Sequence, residues 1–313
     1  TDGGTPGKLH ELVEVMLEEE IDIMLLQETF TQDAPEFRTR QGTFRVIFSG
    51  IENADGTKET KGRGKGGKGK GGANIAMSQE ENEKRKTGVG VILGPRTANT
   101  LKSHTPINDR IQKLVLRTQG GILNILNVYA PHASKPESER ETFYEQLKKA
   151  YGTCPKNQPT YIIGDLNTRL KGRLPGEEHI MGRHLYVDKN WIENQQRTSW
   201  SDQNIVRLGE TTNREMMLQL CEEHKMVIRN TQFPKPMHKL VTFKAPGPHT
   251  KFAPVINPDG TLPTVGERKA SQFAQIDHVL VKQTWAATIT DIESKRTLLA
   301  QETDHFPLII KIV

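Results

Sequence analysis

Apolar positions recur along this chain with two periods. Leu9, Leu12, Val13, Met16 and Leu17 fall at i, i+3, i+4, i+7 and i+8, the spacing of one helix face, and predict a helix over 9–20. The run IDIMLL at 21–26 is short and apolar, as a strand covered on both faces requires, and it leads into Gln27 and Glu28. FRVIFS at 44–49 and GVGVIL at 88–93 predict two more strands. Those at 111–118 and 122–130 are joined by Gln119-Gly120-Gly121 as a hairpin turn. A helix over 136–151 opens on a capping box of Ser134 with Glu137 and carries Phe143, Leu147 and Ala150 on one side. The strand 160–164 runs into Asp165-Leu166-Asn167. A second capping box, Thr212 with Glu215, opens a helix with Met217, Leu220, Cys221 and His224 on one face. Residues 226–230, 239–243, 275–281 and 306–313 are the remaining strand-like runs. Helices and strands alternate without an internal repeat, which predicts a single α/β domain over 1–313. Long insertions fall at 54–87, 168–210 and 245–272.

Composition narrows the class. No uncharged apolar run approaches the ~20 residues of a membrane span. The N-terminal residues have no apolar stretch of the kind a signal peptide carries. Cys154 and Cys221 are the only cysteines, too few for a disulfide framework or a cysteine zinc site, so a reducing, intracellular compartment is expected. The formal net charge is +5. Within 57–73, Lys58, Lys61, Arg63, Lys65, Lys68 and Lys70 stand against the single acid Glu59, and that segment accounts for the whole excess. Seven of the eleven residues 62–72 are glycine, a composition that predicts a disordered loop. It reads either as a surface insertion or as an arm that touches phosphate without reading sequence.

The candidate chemistry lies where strands end. Gln27-Glu28, Asn127-Val128-Tyr129-Ala130-Pro131 and Gly164-Asp165-Leu166-Asn167 each close an apolar run; Ile276-Asp277-His278 opens one, and Thr303-Asp304-His305 precedes one. Ligand sites of α/β sheets gather at strand ends. Taken singly, each group has a plain structural reading: a solvated strand end for Glu28, an Asx turn for Asp165 and Asn167, a packed loop histidine for His305. Together they supply oxygen donors suited to Mg²⁺ and groups able to activate water and neutralise phosphoryl charge.

In this order the five motifs resemble those of the endonuclease/exonuclease/phosphatase superfamily. The texture from Asn213-Arg214-Glu215 through Cys221 and His224 to Asn230-Thr231, with Thr242-Phe243 before Gln275-Ile276-Asp277, is similar to the endonuclease domains of non-LTR retrotransposons. The resemblance implies a four-layered α/β sandwich, with two mixed sheets face to face and helices outside. It implies Mg²⁺, or Mn²⁺, held by Glu28 with Asp304 nearby. Asp165 would orient or deprotonate the attacking water, and Asn167 would hold the scissile phosphate or help the metal. His305 would bind a phosphoryl oxygen, with Asp277 fixing its tautomer. Tyr129 would contact phosphate or assist the leaving oxygen, and Asn127 and His132 would contact substrate. His278 stands where an aromatic is expected and reads as structural. The implied partner is DNA, with a reverse-transcriptase domain in a longer parent chain and a nuclear location. Trp191, Arg197, Trp200 and Arg207 read either as contacts to a minor groove or flipped base or as locally packed side chains.

Two departures from the family pattern stand out. The family opens with a strand carrying a metal-supporting Asn, and here the chain enters its first helix directly, so a strand edge is expected to be exposed. The glycine- and lysine-rich tract is also outside the family core. The competing expectations are a same-fold phosphoesterase acting on lipid or inositol phosphates and a decayed remnant that binds nucleic acid without cutting it.

Overall fold

The computed structural model describes residues 6–30, 36–39, 42–49, 87–170, 172–186, 211–244, 273–298 and 303–313. The tract at 54–73, the loop 245–272, and Trp191, Arg197, Trp200 and Arg207 lie outside them.

Helix α1 (Pro6–Glu18) carries the predicted apolar stripe and begins earlier than its periodicity, at a proline, which suits a first helical turn. Strands β1 (Ile23–Gln27), β2 (Glu36–Arg38), β3 (Arg45–Ser49) and β4 (Val89–Leu93) form an antiparallel sheet in the order β1-β4-β3-β2. A second, mixed sheet contains β5 (Leu101–Pro106), β6 (Ile111–Thr118), β7 (Gly121–Tyr129), β8 (Thr160–Asp165), β9 (Met226–Ile228) and β12 (Asp277–Lys282). Its order is β5-β6-β7-β8-β12-β9, and only β7 and β8 run parallel. Two further pairs are β10 (Phe243–Lys244) with β11 (Phe273–Ala274), and β13 (Ile289–Ser294) with β14 (Leu308–Ile312).

Strand alternation sorts side chains into layers. Leu123, Ile125, Tyr161 and Ile163 meet Ile47, Val91 and Leu93 of the first sheet in the central core. The intervening residues Leu126, Val128 and Ile162 face outward, where Phe143 and Leu147 of α2 (Glu137–Gly152) and Met217 and Leu220 of α3 (Asn213–His224) cover them. On the far side α1 covers the first sheet, with Val13 and Met16 against Phe44, Val46 and Ile92. The result is helix, sheet, sheet, helices, the four-layered α/β sandwich. No described helix is long and apolar enough to cross a membrane.

Several local expectations change. The 21–26 run is an edge strand: all five residues of β1 are only partly buried, whereas all five of its partner β4 are buried. Strands β2, β5 and β13 went unpredicted because they are exposed, short of apolar residues, or alternate too weakly to register. In 239–243, Leu240, Val241 and Thr242 are buried, yet only Phe243 is in a strand. The first capping box does not form: Pro136 is the N-cap of α2, and the Ser134 hydroxyl meets Nδ1 of His132 instead. The 118–121 turn is tighter than expected, because Gly121 already pairs with Thr118. The second capping box forms in both directions between Thr212 and Glu215.

Gly164 is dictated by packing. It has φ +148°, and a Cβ there would lie 2.0 Å from the Val128 carbonyl oxygen on β7. No backbone shift is available without breaking the parallel pair.

Gly164→Ala is expected to lower stability by ~4 kcal/mol or more, or to prevent folding, read as loss of soluble protein or of the thermal transition. Thr212→Ala removes a cap and should cost about 1 kcal/mol in urea unfolding, with the fold intact.

Candidate active site

Register builds the site. Tyr129 of β7 is the partner of Asp165 on β8, and Asp165 is the partner of Asp277 on β12. The three side chains therefore share one row and one face at the end of three adjacent strands. The row behind them, Val128, Gly164 and His278, points the other way. His278 is fully buried with Nε2 2.8 Å from the Thr168 carbonyl oxygen, and burial holds its pKa down, as the structural reading expects.

His305 closes the row. Its Nδ1 is 3.1 Å from Oδ2 of Asp277, and its Nε2 is 3.8 Å from Oδ2 of Asp165. Its ring meets Phe243 edge-on at 5.1 Å, and the backbones of these two residues bridge. Asp277 is anchored in turn by Thr242, whose buried hydroxyl accepts from the backbone N–H groups of Ile276 and Asp277. Thr242 also receives the Phe306 N–H on its carbonyl, so it ties the strand carrying Asp277 to the segment carrying His305.

The electrostatics follow from burial and crowding. Asp165 is 3% exposed. Burial and then the neighbouring Asp277 charge raise its pKa, against the pull of His305. Burial alone would lower the pKa of His305, but Asp277, through charge and hydrogen bond, and then Asp165 raise it to about 10. Asp165 divides its two oxygens. Oδ1 accepts the Asn167 backbone N–H at 2.7 Å, which is the Asx turn, while Oδ2 faces the imidazole. The turn and the functional reading are thus compatible.

The first sheet contributes Glu28. It follows β1 in the left-handed region, at φ 52°, and its Oε1 accepts the Tyr129 hydroxyl at 2.5 Å. Burial and then this bond raise the Tyr129 pKa, which keeps the phenol protonated. Arg110 packs its guanidinium over the Tyr129 ring, 5.1 Å from the centroid. Asn127 proves not to face this cleft. It is fully buried, accepts from Gln27 Nε2 at 2.7 Å and donates to the carbonyls of Gly90 and Leu26, so its amide bridges the two sheets rather than meeting a substrate. His132 stands exposed beyond the strand exit, its Nδ1 held by Ser134. Asp304 is exposed beside His305, and its carbonyl accepts from Lys244.

The structure therefore brings together Glu28, Tyr129, Asp165, Asn167, Asp277 and His305, with Asp304 adjacent in sequence. Sequence reasoning gave no role to Arg110 or to the Thr242 hydroxyl. Arg110 precedes a strand with no motif around it, whereas Thr242 lay inside a run read only as texture.

Among the described residues no three His, Cys, Asp or Glu side chains converge as a preformed metal cage. Mg²⁺ does not need one: one or two carboxylates, with water and substrate phosphate, complete its shell. The exposed carboxylates of Glu28 and Asp304 have that donor chemistry.

Known proteins share this fold. A curated relative from Bos taurus, craniofacial development protein 2, is 24% identical over 209 residues, which cover 66% of this chain and 28% of that protein. The chain thus spans under a third of the length of the curated relatives it matches. A 3′-5′ exonuclease, NExo, from Neisseria meningitidis superposes with a TM-score of 0.56 at 14% identity, over 97% of this chain and 94% of that one. The Neisseria protein is also known bound to a product DNA hairpin. The endonuclease domain of TRAS1, a telomere-specific non-LTR retrotransposon, gives a TM-score of 0.51 at 14% identity, over 97% and 91% of the two chains. At such identity these structures establish the fold. The family assignment rests on the sequence itself: the model of the endonuclease/exonuclease/phosphatase family matches residues 2–293, a span that holds Glu28, Tyr129, Asp165 and Asp277, and the chain belongs to that family.

Proposed function

We propose that this chain is a divalent-metal-dependent phosphodiesterase that nicks one strand of DNA and leaves a 3′-hydroxyl. The observation that carries this reading is the His305 imidazole held between Asp277 and Asp165, in one row with Tyr129.

Each group has a role that its surroundings favour. Asp165, with its raised pKa, is suited to take a proton from an attacking water. His305, kept cationic by Asp277, presents positive charge to a phosphoryl oxygen. Asp277 holds Nδ1 and so fixes which nitrogen faces the substrate. Tyr129 stays a neutral phenol whose one hydrogen, given to Glu28 here, would turn to the phosphate or the leaving oxygen once Glu28 engages the metal. Asn167 gives one amide hydrogen to the Ala130 carbonyl and has the second for the scissile phosphate. His132 is placed to meet phosphate at the rim. Glu28 and Asp304 would hold Mg²⁺ or Mn²⁺, which when bound supplies charge neutralisation on the phosphate.

The retroelement part of the reading is supported by the sequence texture of 213–231, which the structure forms into α3, β9 and the turn after them. On this reading the chain acts on nuclear DNA, and a longer parent chain carries a reverse transcriptase. The DNA complex of the Neisseria relative supports DNA as the substrate class.

Supercoiled plasmid incubated with Mg²⁺ should be converted to open circles, and EDTA should stop the reaction. Glu28→Ala and His305→Ala should each lower the rate by about 10²–10⁴-fold with thermal stability retained. Undiminished nicking in EDTA would overturn the metal requirement. Faster turnover of inositol phosphates or lipid head groups than of DNA, assayed in parallel, would overturn the substrate.

A further inference from the structure

The parallel pairing of β7 with β8 ends at Tyr129 and Asp165. One more backbone bond, from the Ala130 N–H to the Asp165 carbonyl, continues it. Beyond that the two chains part, one toward α2 and the other into the turn at 166–170. Yet this is where spacing matters most, because Tyr129 lies on one chain and Asp165 and Asn167 on the other.

Two side chains bridge the gap: Nδ2 of Asn167 donates to the Ala130 carbonyl at 2.8 Å, and Asn213 joins both chains from the helix beside them. Nδ2 of Asn213 donates to the Pro131 carbonyl at 2.9 Å and to the Asn167 carbonyl at 3.1 Å. An amide has two such hydrogens, and here they go to the two diverging chains. Asn213 is 3% exposed, and its Oδ1 is buried without a hydrogen-bond partner among the described residues. A leucine of similar shape would remove that unfavourable burial and lose both donated bonds, so the amide is unfavourable here except for what it ties together.

The residue is itself fixed. It opens α3 inside the Thr212–Glu215 capping box, directly after the N-cap, and its carbonyl accepts the buried Tyr144 hydroxyl of α2 at 3.2 Å. Two residues earlier, Thr211 gives its N–H to Glu137 and takes a bond from the buried guanidinium of Arg140, both on α2. The amide therefore stands on a rigid two-helix base.

We propose that Asn213 is a positioning residue for the hydrolytic reaction, setting the separation between the strand exit that carries Tyr129 and the turn that carries Asp165 and Asn167. This rests on the hydrolase reading. Asn213 does not reach the substrate; it acts through Pro131 and Asn167.

Asn213→Leu removes both donors, and Asn213→Ser keeps a single short one. Plasmid nicking by the two variants should fall in the order Asn, Ser, Leu. The leucine variant should lose about 10–100-fold in kcat, the scale of a small misplacement of reacting groups, with KM changed less than about 2-fold. Equal kcat across the three proteins, or a loss confined to KM, would overturn the proposal. Absence of cleavage by the unmodified chain would instead count against the hydrolase reading. The proposal then still faces a crystal structure of Asn213→Ser: the carbonyls of Pro131 and Asn167 should move apart, and unmoved carbonyls would overturn it.

Discussion

The close approach of β7 and β8 at Gly164 is the constraint on which the rest depends. A Cβ at this position would collide with the Val128 carbonyl oxygen, so the two strands come nearer than side chains ordinarily permit. That approach fixes their register, and register decides which residues share a face. Slipped by one residue, Asp165 would turn into the helix-covered face and Leu166 into the cleft. The same lock continues through β12, since Asp277 is set opposite Asp165 by the antiparallel ladder. Three side chains from distant parts of the chain thus meet without any of them being held by a loop.

Charge then organises what register has gathered. Two acids and an imidazole lie within hydrogen-bonding or ion-pairing reach, in a place largely screened from water. Two buried like charges repel, so the acids share the favourable charge of one histidine unequally. Asp277, anchored by Thr242, holds the imidazole directly; Asp165 sits farther off and is the more deeply buried. The asymmetry separates the roles of two chemically identical groups. On the other side of the cleft, the Gln27–Asn127 amide pair joins the sheets immediately behind Glu28, so the first sheet presents its carboxylate at a set height above the second.

Much of this was legible in the sequence, because strong signals were also local. The strand ends at Glu28, Tyr129, Asp165 and Asp277 stood out against apolar runs, and the layers followed from alternation. The errors came where tertiary context decided. The apolar 21–26 run reads as central, but whether a strand has one neighbour or two is not encoded in its own residues. Asn127 sits one register step from Val128 and two from Tyr129, and only the packed structure shows that it looks toward the opposing sheet and not into the cleft. Ser134 matched a capping pattern, yet His132 captured its hydroxyl first. Thr242 and Asn213 act through backbone atoms of residues far away in sequence, and such contacts leave no spacing to read.

Glu28 and Asn167, together with Phe30 just beyond the first of these, adopt positive φ angles that side chains rarely take. Glycine would relax each position. A population of variants selected only for heat resistance would therefore drift toward glycine at 28 and 167, and would grow steadier while losing two side chains of the proposed site. At these two positions a backbone that glycine would relax carries a side chain of the proposed site, so there stability and competence would not be maximised by the same substitution.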